Sequence, residues 1–190
     1  MSQESLFHAH RPRDRSIESE LKFRLSGPKD HADLRVKLRA AGADPEGDYD
    51  EDNLRFLGGG KPRRTSLRLR VLDGGPAGIL TTKGPARFVR GIKVREETEV
   101  AVADVHSARD LLESLGYALA FSYAKHRSVW RLGAVAVTLD TLVFGWFTEL
   151  EGPLDDLEPL AIRLGLNPKQ AIKDSYAAMA RKHLGQAASG

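Results

Sequence analysis

Charged and apolar residues alternate along five segments of this chain. In an extended chain, successive side chains point to opposite faces, so Glu18, Glu20 and Lys22 share one face of the first segment. Leu21 then lies on the other face, among apolar neighbours. The five segments, in chain order, are 18–25, 67–71, 94–100, 137–140 and 147–151. This period of two predicts β-strands that present a charged face in common.

The charged faces carry both signs. A sheet that packs on a core normally shows charge to water on its outer face, and this is the ordinary explanation for a single amphipathic strand. The mixture of signs favours the opposite arrangement, in which the charged face lines the inside of a closed barrel. The acidic members are Glu18, Glu20, Glu97, Glu99, Asp140, Glu149 and Glu151, and the basic members include Lys22, Arg68, Arg70, Lys83 and Arg95. Such a lining implies a charged ligand.

The composition limits the class of protein. The 190 residues suit one domain, and a hydrophobic content of 41% is enough to build a core. We expect a mobile tail at 1–15, a single domain at 16–185 and a short tail at 186–190. The 29 basic and 26 acidic residues leave a net charge of +3, which does not indicate a nucleic-acid partner.

Cysteine and long apolar runs are both missing from the sequence. The absence of cysteine excludes disulfides and thiolate metal sites. The chain has no signal-like apolar region near its start and no apolar run of the roughly 18 residues that a membrane span needs. We therefore expect a soluble, cytoplasmic protein without a membrane partner, and a homodimer is left open.

Turn residues between the periodic segments predict eight strands and four helices. The strands are expected near 16–25, 47–56, 65–71, 78–83, 92–101, 120–131, 134–141 and 146–151, with a loop at 84–91. The helices are expected at 30–41, from Val105 to Leu115, before Gly165, and from Asn167-Pro168 onward. The last helix is expected to pack with Ile172, Tyr176 and Met179 on one face. The predicted fold class is α+β. It is an eight-stranded antiparallel closed β-barrel, or tunnel, with a charged interior and α-helices covering the outside.

The charged face combines hard oxygen donors with cations. Carboxylates are ligands that Mg²⁺ or Mn²⁺ takes alongside water and phosphate oxygens, whereas guanidinium and ammonium groups bind phosphates directly. The candidate metal ligands are Glu18, Glu20, Asp140, Glu149 and Glu151. The candidate phosphate-binding residues are Lys22, Arg68, Arg70, Lys83, Arg95, Lys125 and Arg127. Together they predict recognition of a polyphosphate with Mg²⁺ or Mn²⁺.

The segment Glu18-Ser19-Glu20-Leu21-Lys22 resembles the ExExK signature of the CYTH superfamily, also called the triphosphate tunnel metalloenzymes. Later segments resemble the strand motifs of that superfamily in the same order, namely 67–70, 80–85, 95–99, 125–127, 139–140 and 149–151. The resemblance covers roughly residues 16 to 184. It implies an eight-stranded antiparallel tunnel that binds a triphosphate-bearing small molecule with a divalent metal.

The resemblance also implies roles by motif position. The catalytic group would be Glu18, Glu20, Lys22, Glu149 and Glu151, with the four glutamates as metal ligands. The cations at 68, 70, 83, 95, 125 and 127, with Lys22, would contact phosphates. Asp140 is a further metal candidate, and Asp140, Glu97 and Glu99 could each hold a metal, orient a cation or do both.

Three functions fit this resemblance. The first is a metal-dependent triphosphatase that hydrolyses inorganic triphosphate or a nucleoside or other organic triphosphate. The second is a class IV-type adenylyl cyclase that converts ATP to cyclic AMP and pyrophosphate. Such cyclases commonly carry a His-Phe pair shortly before the signature, and His8 and His10, the nearest histidines here, lack that context. The third is a non-catalytic polyphosphate- or nucleotide-binding module. We predict the triphosphatase, although the motifs do not distinguish hydrolysis from cyclisation.

Overall fold

The computed structural model describes residues 16–58 and 66–187. The tail predicted at 1–15 lies outside these residues, and so does 188–190 of the tail predicted at the C-terminus. The described residues form nine β-strands, which are β1 (Ser16–Leu25), β2 (Asp44–Gly58), β3 (Ser66–Leu72), β4 (Gly78–Lys83), β5 (Arg87–Val89), β6 (Ile92–Val102), β7 (Tyr117–Leu132), β8 (Val135–Leu142) and β9 (Gly145–Glu151). The helices are α1 (Pro28–Ala40), α2 (Val105–Ser114), α3 (Leu154–Arg163) and α4 (Tyr176–Ala187), with a 3₁₀ turn at Pro168–Gln170. None of these helices has both the length and the hydropathy needed to cross a membrane.

The strands form one sheet in the order β1-β9-β8-β7-β2-β3-β4-β6-β5, and β1 also pairs with β6. Because β1 and β6 pair, eight strands close into an antiparallel barrel, which confirms the predicted α+β fold class. The prediction of a loop at 84–91 is wrong in part, since β5 lies within it and pairs with β6. Arg90 and Gly91 form the two-residue turn of this hairpin, and both have the positive φ that such turns require.

The last helix begins later than predicted. Asn167 caps the 3₁₀ turn, where its side-chain oxygen accepts a hydrogen bond from the N–H of Lys169 at 3.1 Å. The chain is then extended, and the N–H of Ile172 donates to the carbonyl oxygen of Lys22 at 2.8 Å. This bond holds the segment beside β1, and α4 starts only at Tyr176. A contact between residues distant in sequence therefore decides where the helix begins.

The chain divides into two compact units. The described parts of the first unit are 16–17, 49–58, 66–86 and 95–124, and those of the second unit are 18–48, 87–94 and 125–187. Helix α2 belongs to the first unit, and helices α1, α3 and α4 belong to the second. The single domain at 16–185 and the two tails stay predictions.

In the second unit, the apolar strand faces pack against helices α1 and α3. Leu21 of β1, Leu139 of β8 and Leu150 of β9 are buried in one cluster with Leu38 of α1 and Leu157 of α3. Burying these side chains is the main contribution to the stability of this unit. The alternate residues of the same strands are polar or charged, as the period of two predicts.

The first unit has a smaller apolar cluster under helix α2. Phe56 of β2 and Leu69 of β3 pack there with Leu112 of the helix. Asp104 caps the helix N-terminus with its carboxylate, which satisfies a backbone N–H that would otherwise lack an acceptor. Gly116 ends the helix at a φ of 82°, a conformation that glycine adopts without strain.

Leu157→Ala should destabilise the protein. Leu157 is fully buried, whereas Ile162 on the same helix is 61% exposed. Removing the Leu157 side chain leaves a cavity, so we expect the free energy of unfolding to fall by about 2–5 kcal/mol. The control variant Ile162→Ala should change it by less than about 0.5 kcal/mol. Urea unfolding of both variants checks this, and equal losses would contradict the assignment of the buried face.

Candidate functional site

The second unit carries charged side chains on the strand face opposite its apolar cluster. Strands β1 and β9 pair so that Lys22 lies opposite Glu149 and Glu20 lies opposite Glu151. The Nζ atom of Lys22 is 3.0 Å from Oε1 of Glu149 and 3.4 Å from Oε1 of Glu20. Lys93 donates to the same Oε1 of Glu20 at 2.9 Å. The second-unit cluster is defined as Glu20, Lys22, Lys93, Lys125, Arg127, Asp140, Glu149 and Tyr176.

Asp140 is the centre of the other half of this cluster. Arg127 lies opposite it on β7 and donates from Nε to Oδ1 at 2.7 Å and from Nη2 to Oδ2 at 2.6 Å. The same Nη2 donates to Oε2 of Glu149 at 2.6 Å. The Nζ atom of Lys125 is 3.6 Å from Oδ1, and the hydroxyl of Tyr176 donates to Oδ2 at 2.8 Å. One buried carboxylate thus fixes two of the predicted phosphate-binding cations.

These contacts shift three pKa values. Burial by itself would lower the pKa of Lys22, but attraction to Glu149 and Glu20 outweighs it and the net shift is upward. Burial would raise the pKa of Glu149, but Lys22 and Arg127 hold it well below 4.5. Burial and the charge of Asp140 raise the pKa of Tyr176 well above 10. At neutral pH, Lys22 is therefore an ammonium, Glu149 a carboxylate and Tyr176 a neutral hydroxyl donor.

The first unit has its own ionic cluster, centred on Glu99. Its Oε1 atom accepts hydrogen bonds from Thr81 Oγ1 at 2.8 Å, Arg70 Nη2 at 3.1 Å and Arg68 Nη2 at 3.4 Å. Arg70 also donates from Nη1 to Oε1 of Glu51 at 3.3 Å. The strand register explains this grouping, because Thr81 lies opposite Arg68 on one side and opposite Glu99 on the other.

Glu97 holds two further cations in the first unit. Lys83 lies opposite Glu97 and donates to its Oε1 at 2.6 Å, and Arg95 donates to the same atom at 2.7 Å. Burial would raise the pKa of Glu97, but Lys83 and Arg95 lower it below 4.5. In this structure Glu97 pairs with two cations, and its role in a functional site stays a prediction. The first-unit cluster is defined as Glu51, Arg68, Arg70, Thr81, Lys83, Arg95, Glu97 and Glu99.

One hydrogen-bond donor of Arg68 has no partner in the described part of the chain. Its Nε–H is buried and has no acceptor among the residues that the structure describes. Buried donors in folded proteins are nearly always bonded, to the protein, to water or to a ligand. The Nε–H of Arg68 therefore lacks an acceptor, which a water molecule or a ligand would have to supply.

The profile of the CYTH domain matches residues 16–161. The chain belongs to the CYTH family. A protein of Aeromonas hydrophila named adenylate cyclase CyaB is 32% identical to this CYTH chain over 130 residues, which are 63% of this chain and 64% of that protein. This CYTH chain thus matches less than two thirds of the length of that curated relative.

Solved structures share the CYTH fold. The PH1819 protein of Pyrococcus horikoshii OT3 is similar with a TM-score of 0.73 and 23% identity, over 87% of this chain and 99% of that one. HpAC1 of Hippeastrum, an adenylyl cyclase candidate with a dominant triphosphatase activity, is similar with a TM-score of 0.68 and 19% identity, over 87% and 96% of the two chains. At these identities, the similarity establishes the fold of this CYTH protein and leaves its reaction open.

The CYTH triphosphate tunnel metalloenzymes are divalent-metal dependent. Glu20 and Glu151 oppose each other across β1 and β9, where two carboxylates repel unless cations neutralise them. Their oxygens are hard donors that fit Mg²⁺ or Mn²⁺. In the described part of the CYTH chain, no three acidic or histidine side chains gather closely enough to hold a metal together. The metal roles of all five carboxylates, including Glu18, Asp140 and Glu149, stay predictions.

Sequence reasoning missed four members of the two clusters of this CYTH protein. Lys93 is in phase with Arg95 on β6, so extending the alternating segment at 94–100 by one residue would have found it. Glu51 and Thr81 face cations through strand register, which no local sequence pattern shows. Tyr176 occupies an apolar position of a helix and was expected to pack. Its contact with Asp140 depends on residues 36 positions apart.

Acid should destabilise this CYTH protein because the carboxyls of Glu97 and Glu149 have lowered pKa values. Such a carboxyl favours the folded state above its unfolded-state pKa of 4.5 and loses that contribution as the pH falls through its folded-state pKa. Glu97→Gln cannot ionise there. In urea unfolding, we expect this variant to be less stable than wild type at neutral pH and to lose less stability below about pH 4.5. The control Glu96→Gln, at an exposed position, should lose stability in acid as wild type does. If Glu97→Gln loses as much stability below about pH 4.5 as wild type, Glu97 does not have a lowered pKa.

Proposed function

We propose that this CYTH protein is a divalent-metal-dependent triphosphatase that hydrolyses inorganic triphosphate or a nucleoside or other organic triphosphate. The observation that carries the proposal is the buried Nε–H of Arg68, which has no acceptor among the described residues. A phosphoryl oxygen is an acceptor that a guanidinium group binds well. A ligand with several phosphates could use this donor together with neighbouring cations.

The acidic partners support the same proposal. Glu99 joins Arg68 to Arg70, and Glu97 joins Lys83 to Arg95. These carboxylates hold the cations close together despite their mutual repulsion, so an anionic ligand meets groups that are already in place. The resulting array suits a ligand that carries several negative charges.

Hydrolysis requires a water oxygen to attack the terminal phosphorus while the bond from that phosphorus to the bridging oxygen breaks. The first-unit cations would bind non-bridging phosphate oxygens and stabilise the charge that develops on them. In the second unit, Lys22, which stays protonated, has an ammonium group suited to the same kind of phosphate contact. A divalent cation bound with Glu20 and Glu151 would supply Lewis acidity at phosphate oxygens and at the attacking water.

Adenylyl cyclase activity is the alternative, because the Aeromonas hydrophila relative is named adenylate cyclase CyaB. In that reaction the ribose 3′-oxygen attacks the α-phosphorus and pyrophosphate leaves. HpAC1 of Hippeastrum, with its dominant triphosphatase activity, favours hydrolysis as the first proposal. The cytoplasmic location, the lack of a nucleic-acid partner and the homodimer stay predictions.

The deciding experiment incubates the purified protein with inorganic triphosphate, ATP and other organic triphosphates, each with Mg²⁺, Mn²⁺ or EDTA. Chromatography then identifies the products. Orthophosphate released only with a divalent metal would support the triphosphatase, whereas cyclic AMP and pyrophosphate from ATP would establish the cyclase. Metal-dependent binding without any turnover would indicate a binding module and refute both enzymes.

Glu20→Gln should remove turnover without unfolding the protein. Glutamine keeps an oxygen acceptor for Lys93 but loses the charge that favours a divalent cation, so we expect turnover to fall by about 100-fold. Glutamine weakens the ion pairs with Lys93 and Lys22 while relieving repulsion from Glu151, so we expect the variant to stay folded with a modest fall in the free energy of unfolding. The control Glu96→Gln, at an exposed position of β6, should keep wild-type turnover. Wild-type turnover in Glu20→Gln would refute its metal role.

Arg68→Ala should chiefly weaken substrate binding. A phosphate contact acts in the ground state and in the transition state alike, so we expect KM to rise by about tenfold and kcat to change less. Arg131→Ala is the matched control, because Arg131 pairs with Glu46 on a partly exposed surface at 2.9 Å. Steady-state kinetics with inorganic triphosphate would test both variants. An unchanged KM in Arg68→Ala would contradict the phosphate contact.

A further inference from the structure

Tyr176, the first residue of α4, contacts three charged side chains of the second-unit cluster. Its hydroxyl donates to Oδ2 of Asp140 at 2.8 Å. The Nζ atoms of Lys22 and Lys125 lie 4.2 Å and 5.3 Å from the centroid of its ring. Through Asp140 it also acts on Arg127, which is bonded to both carboxylate oxygens. One side chain thus joins three of the predicted phosphate-binding cations.

The segment that leads into α4 is fixed to β1 at Lys22. The N–H of Ile172 donates to the carbonyl oxygen of Lys22 at 2.8 Å, and the Nζ atom of Lys22 donates to the carbonyl oxygen of Asp174 at 3.1 Å. The ring of Phe147 packs edge-on against Tyr176 with centroids 5.3 Å apart. Tyr176 itself is 6% exposed. Its ring and hydroxyl therefore have one position, set by contacts on several sides.

An aromatic ring holds a cation differently from a carboxylate. The face of the ring attracts an ammonium group through its quadrupole but carries no net charge. The ring therefore holds Lys22 and Lys125 in place without adding a further negative charge to the carboxylates that already pair with them. The hydroxyl has the complementary effect on Asp140, because it donates to the carboxylate that fixes Arg127. The ring and the hydroxyl of Tyr176 thus both favour a fixed arrangement of these cations.

We propose that Tyr176 is a positioning residue that fixes the phosphate-binding cations Lys22, Lys125 and Arg127. The segment 172–176 is then part of the binding site as well as the start of a covering helix. This inference rests on the proposed function in one respect, since it takes the ligand to be a polyphosphate. It concerns binding, and it does not require that hydrolysis be the reaction.

The test measures the affinity for inorganic triphosphate by calorimetry, in EDTA and in Mg²⁺, beside steady-state kinetics. Tyr176→Phe removes the hydroxyl and keeps the ring, so we expect the Kd and KM to rise by about tenfold with a smaller change in kcat. Tyr176→Leu also removes the ring, and a further rise of about tenfold is expected. The control Tyr117→Phe changes a half-buried tyrosine that packs against the apolar cluster of the first unit, and it should bind as wild type.

The ranking of the variants by affinity distinguishes a positioning role of Tyr176 from an effect on protein stability alone. A structural role alone would lower the unfolding midpoint and the fraction of active protein, which reduces apparent kcat and leaves Kd and KM unchanged. That result would overturn the inference, as would equal affinity in wild type and Tyr176→Phe. Wild-type binding without turnover would refute the triphosphatase while leaving the graded affinities as a valid test of Tyr176. A wild-type protein that binds no triphosphate in either condition would overturn both proposals.

Discussion

Pairing between buried charges is the interaction on which both clusters depend. An isolated buried charge is costly, and removing one member of a buried pair leaves the other uncompensated. In the second unit, Arg127 joins Asp140 to Glu149, and in the first unit Glu99 joins Arg68 to Arg70. The charged faces can be buried because the pairs are nearly complete within each unit. The apolar faces of the same strands pack under the helices. One alternating pattern therefore produces both the ionic clusters and the apolar clusters.

The sequence predicted which strand faces carry charged residues, but it did not predict which of those residues pair with one another. A period of two assigns Lys22 and Glu149 to charged faces without any knowledge of the fold, and the family motifs predicted the closed barrel. The pair itself joins residues 127 positions apart, and only strand register brings them to 3.0 Å. The start of α4 was missed for a related reason, because a hydrogen bond to Lys22 keeps Ile172 extended. Tyr176 was placed on a packing face, since an apolar helical stripe does not show that a ring lies over ammonium groups.

The proposed ligand contacts of the two clusters specify the charge of a ligand and do not specify a reaction. Guanidinium and ammonium groups bind the oxygens that every triphosphate has in common, which is why one fold can support several activities. Discrimination between hydrolysis and cyclisation depends on which phosphorus atom meets which nucleophile. That choice is made by contacts to the rest of the substrate, and neither the strand motifs nor the family match specifies them. The family relationship and the ionic clusters therefore both favour a polyphosphate ligand, and neither identifies the reaction.

The two cations on Glu97 have a consequence for selectivity. This carboxylate already occupies Lys83 and Arg95, so it acts as an internal competitor for any anion that approaches them. When a singly charged anion binds one of these cations, the cation loses its contact with Glu97, so the net gain in binding free energy is small. A ligand with several linked phosphates can engage many cations at once, so the loss at each internal pair is offset by the next contact. If this cluster binds the proposed polyphosphate, the protein's own acidic residues would thus set a minimum ligand charge, which ordinary singly charged anions do not reach.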